Sequence, residues 1–425
     1  MIRTNQLCAA AALGFTVALG ACDHEQVNRP FGNVAIDPLF ERYVSMGNSI
    51  TAGFQSAGIN DSTQRQSYAV LLAQAMRSPF QAPLLNWPGC PYPIDSVFVV
   101  DTVTGSPTRG LPHRITNTFR DDLCALRSTE RTPLPFVSNT AVPGAEVIDI
   151  YSNLDTASSA NPLTTFILGG LTQVQMARRA DPTFVTVWIG NNDVLGAATN
   201  SANGGDTTLI TPAATFAQRY SAMLDSLDEI GPEGGVLIGV ANVTIAPFFS
   251  LGATYWAIDN GQVPGAAFPP TMVVDNNCAP QATGIPGARG DSTYVPFLYG
   301  FGLLAQATAG FPATLSCADT VPQVIVPAEL RALVAAVVAY NGTIAAAATA
   351  RGWPFLDPTL LFSALPPGAL PAFPNSIGPD AVERPFGDYI SRDGIHPSAL
   401  THRLIANALA TTINAAYGTA IPPIP

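Results

Sequence analysis

With 425 residues, 47% of them hydrophobic and only 12% charged, the chain can bury one large core or two ordinary ones. Its formal charge is −11, and all 19 basic residues are arginines. The lack of lysine excludes a Schiff base, a Ser–Lys dyad and a phosphate-loop lysine, and an acidic chain without basic runs is poorly suited to nucleic acid.

The first stretch reads as a targeting segment. Arg3 precedes an apolar run from Leu7 to Leu19, too short to span a bilayer as an ordinary helix. Small residues then lead into Leu19-Gly20-Ala21-Cys22, which resembles a bacterial lipobox. Residues 1–21 are expected to be a lipoprotein signal peptide, with Cys22 as the lipidated first residue of the mature chain. Cleavage without lipidation is the plainer alternative. An exported, membrane-anchored lipoprotein facing the periplasm or cell surface is the expected location, with residues 22–40 as a polar tether carrying Pro30 and Pro38.

A domain over residues 41–420 follows. A first strand is predicted at about 43–47, and a helix over 67–76 from the spacing of Ala69, Leu72, Ala73 and Met76. Regular patterning then stops in a proline-punctuated insertion at about 78–135. A second strand is predicted over 136–142, a helix over 171–179, a buried strand over 183–189, and a helix over 212–230 capped by Thr211. Strand 236–240 is followed by a second irregular insertion, about 245–325, rich in Gly, Pro and aromatics. A helix over 327–351, a short strand over 353–357 and a helix over 397–417 complete the chain. Five strands alternating with helices predict an α/β fold, a three-layer α/β/α sandwich around a five-stranded parallel sheet.

Cysteine usage agrees with export. Beyond Cys8 and Cys22, four cysteines remain, and three pairings are open to them. Cys90–Cys124 and Cys278–Cys317 are preferred, because each closes a loop within one insertion. No Cys-x-x-Cys or His-Glu-x-x-His spacing occurs among the four histidines and six cysteines, so neither metal nor cofactor is expected.

Chemistry centres on Ser49, placed where the first strand turns into a helix, since ligands of open α/β sheets gather at strand carboxyl ends. A serine nucleophile needs a base and a group that orients the base. His24 lies beside the anchor and His113 in the first insertion, while His402 sits on the last helix as a surface or packing residue. His396 stands in a loop entering that helix, three residues after Asp393 with Gly394 between, so the carboxylate can curl back to the imidazole.

Four segments taken together resemble the SGNH or GDSL hydrolases, a family of serine esterases and lipases. They are Gly47-Asn48-Ser49, Asn139-Thr140-Ala141-Val142-Pro143-Gly144, Gly190-Asn191-Asn192-Asp193 and Asp393-Gly394-Ile395-His396-Pro397, in family order. The resemblance implies a flavodoxin-like sandwich and an esterase or lipase acting through an acyl-enzyme, with Ser49, His396 and Asp393 as the triad. It also implies an oxyanion site built from the N–H groups of Ser49 and Gly144 and the amide of Asn192. The Gly-x-Ser-x-Gly elbow of α/β-hydrolases is absent, since Thr51 takes its last position. Asn48 departs from the family, which has aspartate there. Asn191 reads as a loop residue.

The implied partner is an ester of a lipid, an acylated small molecule or a glycan. The aromatic residues of the second insertion, Phe248, Phe249, Tyr255, Trp256, Phe297, Tyr299 and Phe301, are read either as an acyl groove or lid or as a satellite core. The competing functions are a carbohydrate O-acetyl esterase of the same fold and a non-catalytic, surface-binding lipoprotein.

Overall fold

The computed structural model describes residues 36–100, 112–114, 135–152, 161–375 and 380–425. The described residues from Asp37 onward pack as one unit. Packing starts ahead of residue 41, because a 3-10 turn at Pro38–Phe40, capped by Asp37, buries Phe40 edge-on against Phe184.

The elements follow in chain order. Strand β1 (Tyr43–Gly47) is buried along its whole length. It feeds the short helix α1 (Ser49–Ala52), then α2 (Tyr68–Met76), whose first turn is capped by Ser67. Within the first insertion, β2 (Ile94–Val100) pairs antiparallel with β3 (Pro112–Arg114). This ribbon corrects the expectation of an irregular segment; register shifts along it erase the period-two pattern that a sequence would display. Next come α3 (Gln173–Ala180), β4 (Phe184–Trp188), α4 (Asn192–Thr199), α5 (Ala213–Asp228) and β5 (Gly234–Ile238). Helix α5 starts at Ala213 with Pro212 as its cap residue, so Thr211 is not the cap.

The second insertion is more ordered than its composition suggests. Strands β6 (Phe249–Leu251), β7 (Met272–Val274), β8 (Tyr294–Pro296) and β9 (Ala313–Leu315) form two small sheets, β6 with β8 and β7 with β9, and helix α6 (Phe297–Thr308) runs on from β8. Each of these strands has three residues, too few to show a period. Helix α7 (Pro327–Arg351), strand β10 (Phe355–Leu356) and helix α8 (Ala399–Tyr417) end the fold.

The central sheet is parallel throughout, in the order β1-β4-β5-β10. Among the described residues it has four strands, not the five predicted. The segment expected as a strand over 136–142 meets β1 through a single bridge, Asn139 to Ser45. Ser45 N donates to Ser138 O, and Thr140 N and Val142 N donate to Ser45 O and Gly47 O, so the segment still lines the sheet edge. Its N–H groups at Ser138 and Asn139 turn instead to Gln81 O in the insertion, which stops the ladder.

Alternation along β4 sorts the helices into two layers. Phe184 and Trp188 face α8 and α2, touching Tyr417 and Tyr68. Val185 and Val187 join the opposite core with Met223 and Leu224 of α5 and Val337 and Tyr340 of α7. Strands covered on both faces read as continuous apolar runs, which is why β4 and β5 are visible in the sequence. Helix α7 is long and apolar enough to cross a membrane by length and composition; its stripe of Leu333, Val337, Tyr340, Ile344 and Ala348 is buried in this domain.

Cys278 and Cys317 form a disulfide with Cα atoms 5.1 Å apart, closing a loop of the second insertion. They anchor a satellite core containing Tyr255 and Trp256. Cys90 is also disulfide-bonded; Cys124, its expected partner, and Cys22 lie outside the described residues.

Candidate active site

Three strand ends and one loop converge on Ser49. The turn after β1 is tightly specified: a Cβ on Gly47 would lie 2.4 Å from the carbonyl oxygen of Trp188, so only glycine lets β1 approach β4 that closely. The same glycine is gripped by Gln173 at the start of α3, which accepts its N–H and donates to its carbonyl, both at 2.8 Å. Asn48 caps α1 by accepting from Ile50 N, and this fixes its amide nitrogen towards Asn191 Oδ1 at 3.3 Å. An aspartate at position 48 would set two acceptors face to face; the asparagine satisfies both partners.

Ser49 Oγ lies 2.9 Å from His396 Nε2, and His396 Nδ1 lies 2.8 Å from Asp393 Oδ2. Asp393 is held from several sides. Its Oδ1 accepts the backbone N–H groups of Ile395 and His396, each at 2.8 Å, and the Ser391 hydroxyl at 3.2 Å. Its Oδ2 accepts the N–H of Ala57 at 2.6 Å. Burial alone would raise the carboxyl; the charge and hydrogen bond of His396, with the two backbone N–H groups, overcome it and bring Asp393 down to about 2. A carboxylate kept ionised against Nδ1 holds that nitrogen as the N–H tautomer, leaving Nε2 free to take a proton from Ser49.

Gly144 is tied to the site on both sides. Val142 N donates to Gly47 O at 3.2 Å, and Asn192 Nδ2 donates to Ala145 O at 2.8 Å. The glycine sits at φ +84°, a conformation an L side chain rarely adopts. Among the described residues, neither Ser49 N nor Gly144 N donates to another group, and the second hydrogen of the Asn192 amide is free to point into the site. Unpartnered donors on the segments beside a nucleophilic serine suit a developing oxyanion.

The other histidines are elsewhere. His113 pairs with Asp95 at 2.6 Å on the β2–β3 ribbon, and His24 lies outside the described residues. His402 is fully buried on α8, where Nδ1 accepts the N–H of Tyr68 at 3.2 Å, so it is a packing residue. Burial, and then the nearby His396, push its pKa down to about 3. Asn191 is buried just before α4, where its side chain makes no capping bond and instead accepts from the Asn48 amide.

Gln173 and the Ala57 N–H were invisible to spacing arguments, since Gln173 is 126 residues from Gly47 and Ala57 is 336 from Asp393. Asp193, which closes the third family segment but has no role assigned by the resemblance, is buried, and its Oδ2 accepts the N–H of Val147 at 3.0 Å. No cluster of three or more potential metal ligands occurs among the described residues.

Two cavities flank His396. One, about 60 Å³, includes Ser49 and Asn192 and is otherwise mostly apolar, with Val243, Phe362 and Ile390 in its wall. The other, about 320 Å³, lies against Asp393 and His396 and is walled by Phe248, Phe297 and Leu298. The aromatics of the second insertion thus divide: Phe248 and Phe297 face this cavity, whereas Tyr255 and Trp256 belong to the satellite core.

No curated protein matches the chain. The sequence model described as GDSL-like Lipase/Acylhydrolase matches residues 43–409, which takes in every segment named above from Gly47 to Pro397. With that match over most of its length, the chain belongs to the GDSL-like lipase/acylhydrolase family of ester hydrolases.

Proposed function

We propose that the protein hydrolyses carboxylic esters through an acyl-enzyme on Ser49. The observation that carries this reading is the unbroken hydrogen-bonded chain from Ser49 Oγ through His396 to Asp393. Ser49 Oγ attacks the ester carbonyl carbon as its proton passes to His396 Nε2, and the carbonyl oxygen becomes an oxyanion facing Ser49 N, Gly144 N and Asn192 Nδ2. Collapse of this intermediate breaks the bond to the leaving alcohol, which takes the proton back from Nε2. Water then repeats the cycle: its proton goes to His396, its oxygen to the acyl carbon, and Ser49 Oγ leaves with the proton. Asp393 stays ionised and steadies the imidazolium.

A fluorophosphonate probe on the purified protein tests this reading. The expected result is one label, on Ser49, together with loss of p-nitrophenyl acetate hydrolysis in Ser49→Ala. Turnover that survives in that variant removes Ser49 from the mechanism.

We also propose that the chain is exported and anchored by a lipid on Cys22. Support comes from the apolar run Leu7–Leu19 with its small-residue approach to the cysteine, and the Cys278–Cys317 disulfide suits an oxidising compartment. Metabolic palmitate labelling that is lost in Cys22→Ser is the expected outcome; an unlabelled wild type overturns it.

A further inference from the structure

Two cavities that share no lining residue are walled by the same two elements. Beside His396, the cavity of about 320 Å³ is lined by Ile94 of β2 and Phe297 of α6. One helical turn along α6, Phe301 lines a second cavity of about 580 Å³, and Phe98 of β2 lines it as well. The rings of Phe297 and Phe301 are 5.4 Å apart, and Phe98 stands 6.4 Å from Phe301, so an aromatic wall runs unbroken from one cavity to the other. The described lining of the outer cavity contains no ionisable side chain, and Thr308 is its only residue with a polar side-chain atom. Ionisable groups are confined to the inner end, where Arg114 and Arg392 reach the cavity but donate to the carbonyls of Ala57 and Val382. Both walls come from insertions that the central sheet does not require.

His396 lies in the wall of both cavities beside the triad, whereas Ser49 and Asn192 line only the cavity of about 60 Å³. The acyl carbon bonded to Ser49 therefore has its substituent in the smaller space, which suits a short acyl group. The leaving oxygen takes its proton from His396 Nε2, and His396 lines the cavity of about 320 Å³ as well as the smaller one. We propose that the two cavities form one track between β2 and α6 and that this track is a leaving-group site: it takes the hydrocarbon chain of the ester's alcohol while a short acyl group is held at Ser49. This rests on the ester-hydrolase reading above.

Two ester series on the full chain test the assignment. Acetates of alcohols from ethanol to hexadecanol should show kcat/KM rising about threefold to fourfold per added methylene over the first several, as burial of each methylene predicts. Ethyl esters of longer acids should lose about tenfold or more beyond butyrate, because the added methylenes do not fit. Ala305→Trp fills the outer cavity and should flatten the ratio of hexadecyl to octyl acetate towards one, and Thr308→Trp, at an exposed position of the same wall, should flatten it if the first variant does not fold. Rates that climb with acyl length instead, or that ignore alcohol length while p-nitrophenyl acetate is still turned over, overturn the leaving-group site and leave the esterase reading standing. A ratio unchanged in a folded tryptophan variant does the same. Failure of the wild type to hydrolyse p-nitrophenyl acetate or any of the esters overturns both.

Discussion

The side chain of Gln173 closes two hydrogen bonds on the backbone of Gly47, one to its N–H and one to its carbonyl, each 2.8 Å long. Gly47 is two residues from Ser49, so this clasp sets where β1 ends and where the serine begins. Gln173→Met keeps the volume and removes both bonds. The carbonyl retains the N–H of Val142, but the buried Gly47 N–H is left unpaired. The expected cost is about 1–3 kcal/mol of stability, read as a lower urea midpoint, with a fall in kcat because the nucleophile loses its fixed position. Unchanged values of both would show that the turn is held by packing alone.

Asp393→Asn tests how His396 is oriented. The Oδ1 position accepts three donors, so the amide oxygen should stay there and the new NH2 take the place of Oδ2. That nitrogen would then face the N–H of Ala57 and offer a hydrogen to His396 Nδ1. The imidazole is driven to the tautomer with its proton on Nε2, which cannot accept from Ser49. A fall in kcat of about 10,000-fold is expected, as in other triads, with KM changed far less. A loss under tenfold would mean that Asp393 does not control the tautomer.

What could be read from the sequence was what is local. Asp393 and His396 are three residues apart and joined by one turn, and the buried runs of β4 and β5 need no partner to be recognised. The edge segment at Asn139 misled because its apolar residues suit a strand, while its N–H groups are claimed by Gln81 from the insertion. The β2–β3 ribbon and the three-residue strands of the second insertion were hidden by length and register shifts. Gln173, Asp193 and the Ala57 N–H act across long sequence separations, and glutamine at a helix start carries no mark that it will reach a strand end. Asn48 stood out as an irregular letter, and only its 3.3 Å contact with Asn191 supplies a reason.

Asn192 offers a second measurement on the site. Its amide nitrogen holds Ala145 O with one hydrogen, and the proposed mechanism gives the other to the oxyanion. Asn192→Ala should lower kcat by about 100- to 1,000-fold on p-nitrophenyl acetate, since the donor works mainly in the transition state. Covalent labelling of Ser49 by a fluorophosphonate should slow as well, because the phosphoryl oxygen uses the same donors. Equal loss of stability and activity would instead place Asn192 among the residues that merely fix the Gly144 loop.

Asp193 makes stability depend on pH in a defined direction. Burial, then the charge of Glu146, raises its carboxyl from 3.8 to about 7, against the N–H of Val147. A folded pKa above the unfolded one means the native state holds the proton more tightly between about pH 4 and 7. Stability from this group is present in acid, falls as pH rises through that window and levels off above it. Asp393 acts in the opposite sense, but its folded pKa of about 2 confines its effect to pH below about 4. Between pH 5 and 8 the Asp193 contribution amounts to about 2–3 kcal/mol of lost stability. Asp193→Asn keeps an acceptor for Val147 and cannot ionise, so its unfolding free energy should change less between pH 5 and 8 than that of the wild type, by about that amount. Parallel pH profiles for the two proteins would show that Asp193 is ionised throughout and that its charge is balanced within the fold.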